Sequence, residues 1–125
     1  MEFRPIDPPR RFTVGLASQI TLSECAHIQL NSDEIVTFKT DEGGEYDIAK
    51  KDWGFYATPS VNGRLLKFGI RTALCRNSSG QVYVMLVEKG KDELFAKYLE
   101  DDKQELICWL SSQEDLDKLS AAFAK

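Results

Sequence analysis

The chain of 125 residues contains no long run of apolar residues. A helix that crosses a membrane needs a stretch of about 18 or more such residues, so the sequence predicts no membrane partner. The first residues, Met1 to Pro5, also lack the apolar segment of a secretory signal. We therefore expect a cytoplasmic protein.

Paired cysteines are lacking as well. Cys25, Cys75 and Cys108 are odd in number and widely spaced, whereas a disulfide framework needs pairs in an exported protein. We therefore expect reduced thiols. The usual zinc spacings are absent too, so a zinc site would have to gather these three cysteines with His27, the one histidine.

No motif for a known catalytic or cofactor chemistry is present: the sequence has no Walker phosphate loop, dinucleotide-binding glycine fingerprint, His-Glu-x-x-His or Gly-x-Ser-x-Gly. Cys25 and His27 are close, but side chains at positions i and i+2 of one strand run parallel rather than toward each other. The acidic cluster of residues 41–52 lacks the ligand spacing of a calcium loop. The sequence thus predicts no catalytic residue, no metal and no cofactor, and a binding protein rather than an enzyme.

Basic residues are fewer than acidic ones, sixteen against twenty, and the net charge of -4 argues against a nucleic-acid partner. The charge is unevenly distributed along the chain. Residues 63–91 carry +5, between -3 over residues 41–62 and -5 over residues 92–125. Such a basic segment either attracts an anionic ligand or complements acidic segments that pack beside it.

Proline is concentrated at the start of the chain. Pro5, Pro8 and Pro9 remove backbone donors and disfavour helix, so we expect residues 1–11 to form an extended, proline-rich arm. The remaining residues, 12–125, are expected to form a single α+β domain, because a chain of this length supports one core.

Hydrophobic alternation predicts strands in the first half of that domain. From Val14 to Leu30 apolar residues mostly occupy even positions, which is typical of half-buried strand, with a turn or bulge near Ala17-Ser18. A second hairpin is predicted from Ile35 to Ala49. Its turn is Asp41-Glu42-Gly43-Gly44, since glycine readily adopts the positive φ of tight turns.

Two turn signals, at Asn62-Gly63 and at residues 77–80, predict a three-stranded meander with Leu65 to Arg76 as its middle strand. After Glu88 the period changes to that of a helix over residues 91–100.

A short strand over residues 105–110 follows, and Ser111 with Glu114 forms a capping-box signal before a last helix. The predicted fold is α+β, a curved antiparallel β-meander sheet or partly open barrel with two short C-terminal helices packed on it.

The register of the meander is predicted from its turns. If Val61 faces Arg64 and Arg76 faces Gln81, apolar residues of all three strands share one face, as a specified sheet requires. That face collects Trp53, Phe55, Ala57, Phe68, Ile70, Thr72, Leu74, Tyr83, Met85 and Val87.

The same register places a candidate ligand site on the opposite face, with Gly69 between two cations and beneath a tyrosine. The cations supply charge, the tyrosine ring stacks and a glutamate binds hydroxyl groups, which suits an anionic metabolite such as a nucleotide or phosphosugar. The structural alternative is a cross-strand cluster of ion pairs with an aromatic ring covering the glycine. The residues concerned are Tyr56, Lys67, Gly69, Arg71 and Glu88.

Two functions are compatible with these features. The first is a non-catalytic interaction or assembly module that acts through exposed apolar and aromatic residues, by self-association or with another protein, the proline-rich arm packing on the partner. The alternative is a protein that binds a small anionic metabolite at the predicted patch, or an enzyme that transforms it there.

Overall fold

A computed structural model describes residues 1–17 and 19–124 of the chain. The fold is α+β, as predicted, with strands in the first two thirds and helices mostly near the end. In chain order the elements are β1 (Glu2–Val14), β2 (Ile20–Gln29), β3 (Ile35–Lys39), β4 (Glu45–Lys51), β5 (Gly54–Ala57), α1 (Arg64–Lys67), β6 (Ile70–Arg76), β7 (Val82–Glu88), α2 (Asp92–Asp101), β8 (Glu105–Trp109) and α3 (Gln113–Ala122).

The strands pair in three antiparallel sheets. The first sheet consists of β1 and β2. The second has the order β3-β4-β5, and in the third β6 lies between β7 and β8. None of these sheets closes into a barrel within the described residues. No helix in the described part of the chain has the length and apolarity needed to cross a membrane.

Several predicted elements are confirmed. The hairpin of β3 and β4 turns at residues 40–44, and the first alternating segment is divided into a strand that ends at Val14 and one that begins at Ile20. Ser18 of the predicted turn lies outside the described residues. α2, β8 and α3 also lie where periodicity places them. The capping box of α3 uses Ser112 and Asp115, one residue later than predicted.

The predicted meander is wrong at its first turn. Gly63 has a φ of -122°, not the positive φ of the expected hairpin turn, and the chain continues into α1. This helical turn carries Leu65 into the core, where it is fully buried. Apolar burial therefore outweighs the local turn signal, and β5 pairs with β4 instead of β6.

The predicted register of β6 and β7 is also wrong, by one residue. Arg76 pairs with Val82, not with Gln81. The cause is Asn77, whose carboxamide oxygen accepts hydrogen bonds from the backbone N–H groups of Ser79 at 3.0 Å and Gln81 at 2.9 Å, which lengthens the turn.

A shift of one residue exchanges the two faces of a strand. Thr72 therefore lies opposite Leu86, and Tyr83, Met85 and Val87 lie on the other face from the one predicted. Trp53 and Phe55, expected in the core, are exposed, Trp53 by 71 %.

The core is small. Its buried apolar side chains come mainly from β6 and its neighbours, and α2 and α3 contain no buried residue. Phe95 of α2 does approach Trp109 of β8, with ring centroids 5.9 Å apart. The buried apolar residues of the described chain are Ala49, Leu65, Ile70, Ala73, Cys75 and Val87.

Candidate functional site

The structure does not assemble the predicted ligand patch. Tyr56 lies in β5 and stacks on Trp53, with ring centroids 6.1 Å apart, rather than covering Gly69. Lys67 ends α1, and the side chain of Lys89 lies over Gly69. The predicted arrangement of a tyrosine above the glycine is therefore wrong, because β5 belongs to the other sheet.

Arg71 and Glu88 lie on opposite faces of the third sheet. Arg71 is paired with Val87, whereas Glu88 is paired with Ile70, the neighbour of Arg71. The Arg71 guanidinium forms an ion pair with Asp92 at 2.8 Å and lies 4.0 Å from the centre of the Trp109 ring.

The other arginines of the basic segment are similarly occupied. Arg64 forms an ion pair with Asp47 at 2.9 Å, and Arg76 pairs with Glu105 across β6 and β8. The partners belong to the acidic segments on either side. Ion pairs therefore join the basic segment, residues 63–91, to the acidic segments on either side. This is the structural alternative that the charge distribution predicted.

Asp47 is the most buried of these carboxylates, with 5 % of its surface exposed. Hydrogen bonding to Thr37 and the neighbouring Arg64 guanidinium lower the pKa of the Asp47 carboxyl against the opposing effect of burial. The Asp47 carboxylate thus stays charged at neutral pH and fixes α1 to β4.

The cysteine and histidine side chains show no catalytic pairing. His27 Nε2 lies 3.1 Å from the Glu24 carboxylate, and the Cys25 thiol is directed to the carbonyl oxygen of Ser23 at 3.5 Å. Burial, reinforced by nearby Cys108, raises the pKa of the Cys75 thiol, so it is a poor nucleophile. Among the described residues no group of three metal-ligating side chains comes together.

The most distinctive surface lies on the hairpin of β1 and β2. Opposite residues of this pair are Phe3 with Ile28, Pro5 with Ala26, Phe12 with Leu22, and Val14 with Ile20. Because directly paired residues share a face, these eight side chains form one surface, here called the apolar face. The Arg10–Glu24 ion pair lies on the same side, between Ala26 and Leu22 of β2. The other face is polar and carries Glu2, Arg4, Arg11, Thr13, Thr21, Ser23, His27 and Gln29.

The apolar face is open over much of its length. Its large side chains, Phe3, Phe12, Val14, Ile20, Leu22 and Ile28, are between 38 % and 57 % exposed. An antiparallel sheet with one apolar face normally packs that face on a core. Here Phe3 is 57 % exposed, and the Arg10 guanidinium lies 4.8 Å from the centre of the Phe12 ring.

Both ends of the hairpin are tied to the rest of the protein. At the tip, the Asp102 carboxylate accepts hydrogen bonds from the backbone N–H groups of Leu16 at 3.2 Å and Ala17 at 3.3 Å. At the base, the Met1 amino group lies 3.0 Å from the Glu34 carboxylate. The hairpin is therefore held in a defined position.

A cavity of about 460 Å³ separates the tip from the third sheet. Its lining residues include Val14 and Leu22 of the hairpin, Tyr83 and Met85 of β7, and Tyr98 of α2. Phe3, Phe12, Ile20 and Ile28 line no part of this cavity.

The sequence predicted the β2 half of the apolar face but not the β1 half. The alternation from Val14 to Leu30 predicted an amphipathic strand, and that strand is β2. The contribution of Phe3 and Phe12 was missed because three prolines suggested an unpaired segment, whereas β1 pairs on both sides of a register shift between Pro5 and Arg10.

Comparison with known proteins finds no match: no family model, no curated protein and no solved structure matches this chain. The function is therefore inferred from the chain's own geometry.

Proposed function

We propose that this protein is a non-catalytic interaction or assembly module whose binding surface is the apolar face of the β1–β2 hairpin. The observation that carries the proposal is the row of partly exposed apolar side chains on one face of this hairpin. The chain as a whole is also open. The structure exposes 9118 Å². A compact protein of 14.2 kDa is expected to expose about 6,800 Å².

The difference of roughly 2,300 Å² belongs to the whole chain, and side chains outside the hairpin such as Trp53 and Val84 contribute to it. Exposed apolar patches of several hundred Å² on a monomer usually mark interaction sites. The hairpin supplies such a patch, with aromatic and branched side chains on one face and polar ones on the other.

The hairpin is also ordered before it binds. Asp102 holds its tip and Glu34 its base, so little conformational freedom is lost when a partner covers the apolar face. An isolated two-stranded hairpin is only marginally stable in water, so these attachments help to keep it ordered.

The alternative function, binding of an anionic metabolite, has weaker support. Arg64, Arg71 and Arg76 each have a carboxylate partner, and Tyr56 lies in another sheet from Arg71. An anion would have to displace Asp92 to reach the Arg71 guanidinium.

We further propose that the protein works in the cytoplasm. Cys25, Cys75 and Cys108 are all free thiols, which fits a reducing compartment.

A photo-crosslinking experiment tests the interaction module. A benzophenone amino acid replaces Phe12 on the apolar face or, as the matched control, Thr13 on the polar face, in cells that make the full chain. We expect a crosslinked protein product from position 12 and little from position 13. Equal products from both positions, or none from position 12, would show that the apolar face is not the binding surface.

A further inference from the structure

We propose that the free edge of β7 binds an extended, apolar peptide segment of a partner protein, which adds to the third sheet as a further strand. This edge belongs to a different sheet from the apolar face of the hairpin, so the inference goes beyond the proposed function. Three features of β7 carry it: the direction of its backbone groups, its lack of charge and a cavity along its edge.

The backbone of β7 directs alternate hydrogen-bonding groups away from β6. Opposite residues of an antiparallel pair exchange either two backbone hydrogen bonds or none, in alternation. At the two ends of this ladder, Lys89 N–H donates to the Gly69 carbonyl at 2.7 Å and Asn77 N–H to the Gln81 carbonyl at 2.9 Å. Odd-numbered residues of β7 therefore bond to β6, and even-numbered ones point their N–H and C=O groups to the free edge. These outward residues are Val82, Val84 and Leu86.

The free edge of β7 is open to a ligand. Within the described residues no other strand lies beside it, since β7 is a terminal strand of the third sheet. At its end, the Glu88 carbonyl accepts a hydrogen bond from Lys91 N–H at 3.1 Å, where the chain turns into α2. The three outward residues before that turn are between 36 % and 63 % exposed. An extended polypeptide supplies donors and acceptors at the spacing that such an edge requires.

The sequence of β7 leaves this edge unprotected. Proteins commonly block exposed strand edges with charged residues, prolines or bulges. Residues 82–87 contain no charged residue and no proline, and their register with β6 is regular. By contrast, β1 contains three prolines, and β8 has a register shift against β6. The edge of β7 therefore suits a strand whose own side chains are apolar.

A cavity of about 370 Å³ lies along this edge, between β7 and α2. Leu86 and Val87 both line it. Since neighbouring residues of a strand face opposite sides, a cavity that touches both lies at the edge rather than on one face. Leu94 and Phe95 of α2 line it as well. A peptide strand paired with β7 therefore finds an apolar site for one of its side chains.

The shape of this site favours a partner's segment over a second copy of this chain. A segment that fits between β7 and α2 must be a single extended strand. Every strand of the described chain is already paired within a sheet, so a second copy has no such free strand to insert.

Hydrogen exchange of individual amides, followed by NMR on the full chain, tests the edge. In the protein alone, we expect the outward amides of residues 82, 84 and 86 to exchange at least roughly tenfold faster than those of residues 83, 85 and 87. The probe is a set of peptides selected against the protein from a phage-displayed library of random sequences of about twelve residues. A bound peptide should protect the outward amides roughly tenfold and leave the other three unchanged.

A proline at the edge tests the pairing itself. Val84→Pro removes one outward donor and leaves the ladder to β6 in place. Ile35→Pro is the matched control, since Ile35 lies on the free edge of β3 and its N–H also points outward. We expect the dissociation constant of a selected peptide, measured by fluorescence anisotropy, to rise roughly tenfold or more for Val84→Pro and to stay at the wild-type value for Ile35→Pro. Circular dichroism follows folding.

Methylation of the peptide's own backbone nitrogens tests the pairing without altering the protein. Methyl groups at every second position, where the peptide N–H groups face β7, should abolish binding, whereas methyl groups at the intervening positions should be tolerated. A library without a binding peptide, or equal losses from methylation at all positions, overturns the inference. Protection of the outward amides that rises with protein concentration alone also overturns it, because the occupant would then be a second copy.

Discussion

At the scale of single residues, the contact between Arg64 and Asp47 shows how the charge pattern serves the fold. The Asp47 carboxylate is nearly buried, and its cation is 42 % exposed, so water screens only one side of the pair. The Arg64 guanidinium also donates a hydrogen bond to the Thr58 hydroxyl at 3.0 Å. This pair joins α1 to the second sheet, and its loss leaves a charge in a poorly solvated position.

Arg64→Met should therefore lower the free energy of unfolding by about 2 kcal/mol, less than the 3–5 kcal/mol typical of a fully buried pair because Arg64 is partly hydrated. Arg76→Met is the control, since Arg76 and Glu105 are both solvent-exposed and such pairs contribute about 0–1 kcal/mol. Urea unfolding at one fixed protein concentration measures both. Equal losses for the two variants would contradict the special role of the buried carboxylate.

Gly69 is a second residue-scale case. Its φ of +75° is rare for side chains other than glycine, and a Cβ atom there would come within 3.0 Å of the Lys89 Cβ. Gly80 has a similar φ of +85°, but a Cβ atom there would meet nothing within 4 Å.

We expect Gly80→Ala to cost about 1 kcal/mol through backbone strain alone, and Gly69→Ala to cost roughly 2 kcal/mol or more because crowding is added to that strain. The same urea titration compares them. If the two substitutions cost the same, Lys89 moves aside freely and does not pack on the glycine.

At the scale of elements, prediction from sequence worked where the signal was local and failed where a distant contact decided the outcome. α2 and α3 follow from their periodicity, and β3 and β4 from the glycines between them. The signal at Asn62-Gly63 failed because burial of Leu65 favours a helical turn. The register of β7 failed because the side chain of Asn77 lengthens the turn, which a residue pattern does not show.

Helix α3 depends on local interactions more than the other elements do. It contains no buried residue, and its N-terminus is closed by a reciprocal capping box between Ser112 and Asp115. The same hydrogen bonds from Ser112 lower the pKa of the Asp115 carboxyl. We infer that the cap, rather than packing, holds the first turn of this helix.

Ser112→Ala should therefore loosen α3 without destabilising the whole protein. Loss of an N-cap costs about 1 kcal/mol, which corresponds to a roughly fivefold loss of hydrogen-exchange protection in the first turns of α3. Ser120→Ala, on the same helix away from the cap, is the control. A matching drop in the global unfolding free energy would instead mean that α3 is part of the cooperative core.

At the scale of the whole molecule, the exposed area and the distribution of charge could not be read from composition. The predicted arrangement around Gly69 depended on two registers, one set by each of two turns, and neither register forms. The amphipathic character of β2 was predictable, since alternation is a property of the strand itself. The exposure of its apolar face was not predictable, because that exposure depends on how the three sheets are arranged in space.

The central claim is that the apolar face of the β1–β2 hairpin is where this protein associates. The most direct measurement is a dilution series of the methyl-labelled protein, followed by NMR from about 10 to 500 µM. We expect the methyl signals of Ile20 and Ile28 to shift with concentration, while those of Val82 and Val84 stay fixed. Val84 is the sharper control, because it is 63 % exposed but lies in the third sheet. Equal shifts at Val84 would contradict the account, and fixed Ile20 and Ile28 signals would contradict self-association through this face.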